Sequence, residues 1–275
     1  MKTIRILGIE SSCDETSVSV VEKKPNNSIK VLSNIVKSQT NIHESYGGVV
    51  PELAARAHSD VIDKLIVMAL EKAKTSLKGI TAIAATAGPG LLGGLLVGVV
   101  AGKTLARYLN KPFIAVNHLE GHALSIKLEK DIDFPYLLLL VSGGHTEFTV
   151  IKKFNNYKRL GTTIDDALGE AFDKTARLLN LSYPGGPKIE KYAALGDKNR
   201  FKLPMPLVNE KNCHFSFSGL KSAVADIVSQ HKCTEKFKKD MCASFQNTIN
   251  EFETLIITYK GSISNTYLST NYQGL

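Results

Sequence analysis

His118 and His122, in the run His118-Leu-Glu-Gly-His122, stand four residues apart at the head of a predicted helix. At that spacing two imidazoles share one helix face and can hold one divalent cation between them. A catalytic metal normally has three protein ligands and an open position, and this motif supplies two. His145, in the turn Ser142-Gly-Gly-His145, is a further imidazole whose approach the spacing leaves open. Zinc peptidases use H-E-x-x-H, with the glutamate directly after the first histidine. Here Glu120 comes two residues after His118, about 200° round the helix, which argues against a peptidase base.

A second chemical signal is a set of glycine turns: Gly88-Pro-Gly90, Gly143-Gly144 and Tyr183-Pro-Gly-Gly-Pro187. Such turns offer backbone N–H groups to phosphate. None is G-x-x-x-x-G-K-[ST], which excludes a P-loop. Gly93-Gly94 reads as close helix packing. A third set is acidic: Asp14 and Glu15 in the first turn of the chain, and Asp165, Asp166, Glu170 and Asp173 on a predicted helix. Acids favour the first turn of a helix, which accounts for Asp165 and Asp166. Asp173 lies deeper, on the strip of Gly169 and Glu170, as a hydroxyl acceptor for a ribose or amino-alcohol.

The elements that must position these residues repeat. Ile6–Glu10 and Ser17–Glu22 are β-rich runs around a polar turn, and Ile29 begins a third strand. Pro51 opens a long amphipathic helix. The buried strand TAIAATAG, a glycine-bearing helix and the strand Phe113–Val116 lead to the histidine pair. Strand, polar turn and strand then return in Tyr136–Lys152, followed by YKRLGTT and the helix DDALGEAFDKTARLLN. This is a duplicated α/β fold of two lobes, with boundaries at 1–130 and 131–255 and a tail at 256–275. After PGGP the pattern is irregular, then gives two helical runs, with Leu255–Lys260 as one more strand; the last fifteen residues are polar and without period. By its own symmetry the second lobe is incomplete.

Composition bounds the partners. Lys plus Arg is 34 and Asp plus Glu 26, a formal charge of +8, which favours polyanions such as nucleic acid. The four cysteines show no C-x-x-C spacing, which fits a reducing cytosol. The opening MKTIRILGIESSCDE turns polar too early for a signal peptide, and the apolar run from Leu91 reaches Lys103 too soon to span a bilayer. The expectation is a cytoplasmic protein without a membrane partner.

Eight segments together resemble one family: ILGIESSCDETSVSVV, YGGVVPELAARAH, GPGLLGGLLVGV, KPFIAVNHLEGHA, LLVSGGHT, DDALGEAFDKTARLL, YPGGP and FSFSGLKSAV. It is the universal tRNA threonylcarbamoyl transferase subunit, once catalogued as a glycoprotein endopeptidase. The resemblance implies a duplicated actin/Hsp70-like (RNase H-like) two-lobed fold. It implies transfer of the threonylcarbamoyl group from threonylcarbamoyl-AMP to the exocyclic amine of the adenosine 3′ of the anticodon, in tRNAs reading codons that begin with A. His118 and His122 match the family's metal ligands, which implies one divalent metal per subunit, usually Fe2+, with Zn2+ as the alternative. Leu140, Val141, Ser142, Gly143 and Gly144 match its substrate loop, and Asp173, Gly186 and Glu190 further substrate contacts. The implied partners are tRNA, the adenylate, a related non-catalytic subunit and a small ATPase. A partner-binding protein without the chemistry and, from the old name, a metallopeptidase are the other readings.

The motif-by-motif likeness ends near Ile249. Family members go on to a Gly-Gly-x-x-x-Asn turn and a Thr-Asp-Asn segment whose Asp is the third metal ligand; neither is found here. The expectations are a weaker metal site, a less stable second lobe, and a frameshifted or degraded gene copy as the source of such an ending.

Overall fold

Ile4–Glu10 (β1) and Glu15–Lys23 (β2) alternate buried with half-buried residues over most of their length and pair antiparallel, Gly8 opposite Ser19. The period of two is what a sheet with one covered face demands. Ile29–Ser38 (β3) adds to β2 as the edge strand. A single turn of helix, Thr40–His43 (α1), leads to Pro51–Lys72 (α2), which has its proline in the first turn. Ile62, Leu65, Ile66 and Ala69 of α2 bury one stripe against Leu7 and Val18 of the sheet. Ala82–Gly88 (β4) then runs parallel to β1. Leu92–Tyr108 (α3) returns the chain, and Phe113–Asn117 (β5) runs parallel to β4. His118–Ser125 (α4) follows without a break. The sheet order is β3-β2-β1-β4-β5. Because β1, β4 and β5 are parallel, their carboxyl ends all emerge on one edge, where α/β sheets collect ligand-binding residues.

The computed structural model describes residues 2–128, 130, 132–207, 210, 212–260 and 266–270, with side chains described up to Glu251. It divides into two units, Met1–Asp131 and Ile132–Leu275. The second repeats the start of the first. Tyr136–Val141 (β6), Thr146–Lys153 (β7) and Asn156–Thr162 (β8) form an antiparallel meander. Every residue of β6 is buried, as befits an inner strand covered on both faces. The helices are Leu168–Leu178 (α5), Gly185–Ala193 (α6), Ser218–Gln230 (α7) and Glu235–Lys260 (α8). Phe148, Ala171, Ile189, Met241 and Phe245 build the core under them, and the Phe245 ring meets Phe172 edge-on at 5.1 Å. Thr266–Thr270 (β9) lies parallel to β6, in the place that β4 takes beside β1. The strand orders β3-β2-β1-β4 and β8-β7-β6-β9 match, so the α/β unit is duplicated.

Several sequence expectations are corrected. Leu255–Lys260 is the end of α8 rather than a strand. Ile249, Phe252, Ile256 and Tyr259 recur every three to four residues, and that period outweighs the local β propensity. The stretch read as polar and aperiodic contains β9. The residues after PGGP are not irregular at first: α6 starts on those glycines. Finally, α5 begins at Leu168, so Asp165 and Asp166 precede it. Asp165 instead accepts the Phe217 N–H at 2.8 Å and the Ser218 hydroxyl at 2.8 Å, holding the start of α7, while Asp166 pairs with Lys174 at 2.7 Å.

Candidate functional site

The histidine pair sits where β5 passes into α4. Asn117 caps that helix: its side-chain oxygen accepts the N–H of Leu119 at 2.9 Å and of Glu120 at 3.2 Å. This fixes the first turn and sets both rings on one face. The Nε2 atoms of His118 and His122 lie 3.1 Å apart, with ring centroids at 4.5 Å and planes at 82°.

His118 is held from behind. Its Nδ1 lies 3.4 Å from Glu10 Oε2 and 3.2 Å from the Ser12 hydroxyl. Glu10 ends β1, and Thr86, on the neighbouring strand β4, donates its hydroxyl to the same carboxylate oxygen. The Ser12 N–H donates to the other oxygen at 2.5 Å. Burial pushes the Glu10 carboxyl up, but the hydrogen bonds from His118, Ser12 and Thr86 outweigh it and bring it down to about 2. Glu10 is therefore an anion at neutral pH and an acceptor only. The His118 Nδ1 must carry the proton and donate, which leaves its Nε2 lone pair directed at His122.

These residues fit a divalent cation. Two nitrogens 3.1 Å apart subtend about 98° at an ion roughly 2.05 Å from each, the usual metal–imidazole distance, close to tetrahedral or octahedral angles. The carboxylate behind the first imidazole is the orienting arrangement found at histidine metal sites. Among the described residues no group of three or more His, Cys, Asp and Glu is placed to hold an ion. His145 belongs to the second unit, where its carbonyl accepts the Ser142 N–H at 2.8 Å and closes the turn.

The second unit gathers the remaining candidates around α5. The Ser142 hydroxyl accepts the His145 N–H at 3.0 Å, and Ser142–His145 forms the tight loop after β6. Gly143 and Gly144 are exposed, and a Cβ on either would meet nothing within 4 Å. Among the described residues no contact demands glycine there; such openness suits backbone that a ligand must approach closely. Leu140 and Val141 belong to β6, and their side chains are buried, so what they can offer is main chain. Gly169 opens α5 against this loop, its N–H donating to the Ser142 carbonyl at 3.2 Å. One turn on, Asp173 accepts the Gly185 N–H at 2.7 Å and so fixes the start of α6. Gly186 is buried in the first turn of α6, and Glu190 is exposed four residues later on the same face. Thus Ser142, Gly143, Gly144 and Asp173 gather at α5, and Asp173 fixes the start of α6, which carries Gly186 and Glu190.

Sequence reasoning missed Glu10, Ser12, Thr86 and Asn117. Parallel strand ends were the available signal: Glu10 ends β1 and Asn117 ends β5, Ser12 lies two residues past β1, and Thr86 is two residues from the end of β4.

A family of known proteins, described as "TsaD: tRNA N6-adenosine threonylcarbamoyltransferase", matches residues 30–268. That span runs beyond Ile249, where the motif-by-motif likeness ends, and enters β9. A tRNA N6-adenosine threonylcarbamoyltransferase of Bartonella tribocorum is 59% identical over 249 residues, covering 90% of this chain and 68% of the relative. That of Pelagibacter ubique is 56% identical over 257 residues, covering 94% and 70%. Solved structures that are similar include a Pseudomonas aeruginosa protein with similarity to the peptidase YeaZ (17% identity, TM-score 0.39, covering 57% of this chain and 63% of that one). Another is a Cytophaga hutchinsonii exopolyphosphatase (13%, TM-score 0.41, covering 97% and 94%). On the match to its sequence, this chain belongs to the tRNA N6-adenosine threonylcarbamoyltransferase family.

Proposed function

We propose that this chain transfers a threonylcarbamoyl group from threonylcarbamoyl-AMP to the N6 amine of the adenosine next to the tRNA anticodon. The observation that carries the reading is the convergence of His118 and His122 Nε2, with His118 oriented by an ionised Glu10. This geometry supports one divalent cation, Fe2+ or Zn2+, held by the two imidazoles. Bound there, the ion supplies Lewis-acid polarisation and a template for the adenylate.

The chain's own residues do the rest. The main chain of Gly143 and Gly144 holds the phosphate that leaves with AMP, as N–H donors to developing negative charge, on a loop that Leu140, Val141 and Ser142 position. Asp173 and Glu190 accept ribose hydroxyls, and Gly186 at the head of α6 brings main chain close to them. The amine nitrogen attacks the carbamoyl carbon as its bond to the phosphate oxygen breaks, so positioning, not an enzyme nucleophile, is the main requirement. The excess of basic residues supports binding of the anticodon arm. No helix among the described residues is long and apolar enough to cross a membrane, and the proposed location is the cytoplasm.

A related non-catalytic subunit and a small ATPase complete the proposal. Leu92, Leu96 and Val100 form an exposed apolar row along α3, 72%, 53% and 58% accessible, with Val67 and Met68 exposed on α2. Such a row supports docking of another helical face. Leu96→Glu is expected to weaken association with that subunit at least about tenfold in a pull-down or calorimetric titration, since a charge must be buried there. Unchanged association would move the interface elsewhere.

The direct test mixes the chain, its partner subunits, threonylcarbamoyl-AMP and unmodified tRNA, and looks for the modified nucleoside by mass spectrometry. Its appearance supports the reading, and its absence beside an active relative refutes it for this chain. Within the site, Glu10→Gln is expected to weaken Zn2+ binding about tenfold, the usual effect of losing an orienting carboxylate. Equal affinity by competition titration would remove Glu10 from the site.

A further inference from the structure

Behind the turn between β1 and β2 lies a buried polar chain that the transfer reaction does not explain. His43 and His58 are both fully buried, and Gln39 is 3% exposed. The Val50 N–H, at the head of α2, donates to His43 Nδ1 at 3.3 Å. A backbone N–H can only donate, so His43 carries its proton on Nε2, which gives it to Gln39 Oε1 at 3.2 Å. The Gln39 amide nitrogen faces the Ala54 carbonyl at 3.4 Å and His58 Nδ1 at 3.1 Å. A carbonyl can only accept, which fixes the amide orientation independently. His58 Nδ1 is therefore an acceptor, also served by the Thr16 hydroxyl at 2.7 Å. Its Nε2–H donates to the Cys13 carbonyl at 3.0 Å.

Every bond in this chain points the same way, from the start of α2 to the turn. Both ends are backbone groups of fixed sense, so only the neutral Nε2–H form of each histidine satisfies all partners. A proton on His58 Nδ1 would face the Gln39 amide hydrogens. Turning the amide would set its oxygen against the Ala54 carbonyl and its hydrogens against His43. Burial pushes His58 below the usual imidazole value, against the pull of the Cys13 carbonyl, Glu10 and Asp14 and with that of His43. Packing closes the other side: a Cβ on Gly94 of α3 would run into the Ser11 carbonyl and lie 3.2 Å from the His58 ring.

The turn so gripped bears Ser12, whose hydroxyl meets His118 and whose N–H meets Glu10. We propose that His58 is a positioning residue for the histidine pair: through the one-way chain Val50–His43–Gln39–His58–Cys13 it holds the Ser12 turn against His118. The inference rests on the reading of His118 and His122 as a metal-holding pair, but its first test does not.

That test is ring 15N–1H correlation of the histidines in the metal-free chain. His58 and His43 are expected as neutral Nε2–H tautomers at pH 7. A protonated or Nδ1–H His58 overturns the chain whatever the protein's function. The second test compares His58→Leu with His58→Gln, the latter presenting a donor and an acceptor at about the separation of the ring nitrogens. In folded protein, His58→Leu is expected to shift the His118 ring signals and weaken Zn2+ binding about tenfold, with His58→Gln restoring both. Loss of melting temperature with unmoved His118 signals would make His58 merely structural and overturn the proposal. Failure of the wild type to bind Zn2+ would sink the metal reading, and the His118 signals would still decide this one.

Discussion

Replacing His122 by alanine is expected to lower threonylcarbamoyl transfer at least about 100-fold. The reason is numerical. Polarisation by a bound cation contributes several kcal/mol to transition-state stabilisation, and each 1.36 kcal/mol is about a factor of ten in rate. With His122 gone, one imidazole remains on α4, and a single neutral nitrogen does not retain a divalent ion at micromolar concentration against water. The fold should survive, because His122 is half-buried at the surface of the first unit and lies outside its apolar core. Metal content by mass spectrometry and transfer rate should therefore fall together while the thermal unfolding curve stays put. A variant that keeps its rate with no bound metal would show that the pair is structural and would redirect attention to the glycine loop of the second unit.

Gly169→Ala should be as damaging by a different route. A Cβ there would lie 2.6 Å from the Ser142 carbonyl oxygen, 2.8 Å from Gly143 Cα and 2.9 Å from Gly143 N. All three are backbone atoms, so no side-chain rotation relieves the overlap, and the Ser142–Gly144 loop must move away from α5. Overpacking of this kind costs about 1–3 kcal/mol, which a domain of this size tolerates. Displacing a substrate-positioning group by about 1 Å can cost about 100-fold in rate. The expected result is a folded, slightly less stable protein with transfer lowered about 100-fold and metal content unchanged. That last observation separates it from His122→Ala. Wild-type transfer by Gly169→Ala would mean that the loop does not hold the phosphate.

The duplicated unit could be read directly from the chain. β-rich runs around polar turns at Ile6–Glu10, Ser17–Glu22 and Tyr136–Lys152 recur in the same order, and the long period of three to four after Pro51 marks the covering helix. The histidine pair was legible for the same reason: four residues on a helix place two side chains together whatever surrounds them. Patterns within one element are local, and local patterns survive in sequence. The second unit was harder to read where elements compete for one stretch. Leu255–Lys260 has β-rich composition yet continues a helix, and Thr266–Thr270 has no apolar period of its own yet finds an edge of β6 to pair with. Whether an edge is open is a property of the sheet, not of the residues that fill it.

What sets a carboxylate and a hydroxyl behind the histidine pair was decided by tertiary structure alone. Glu10 and Ser12 stand 108 and 106 residues from His118, and they meet it because parallel strands bring their carboxyl ends to one edge. The same holds for His58, 45 residues from the Cys13 carbonyl it binds, and for Asp173, whose carboxylate fixes a helix that begins twelve residues later. Residue types and spacings specified which groups could do chemistry and which surfaces had to be covered. Orientation, protonation and tautomer follow from partners distant in the chain, since a buried donor or acceptor must be matched by whatever the fold places against it.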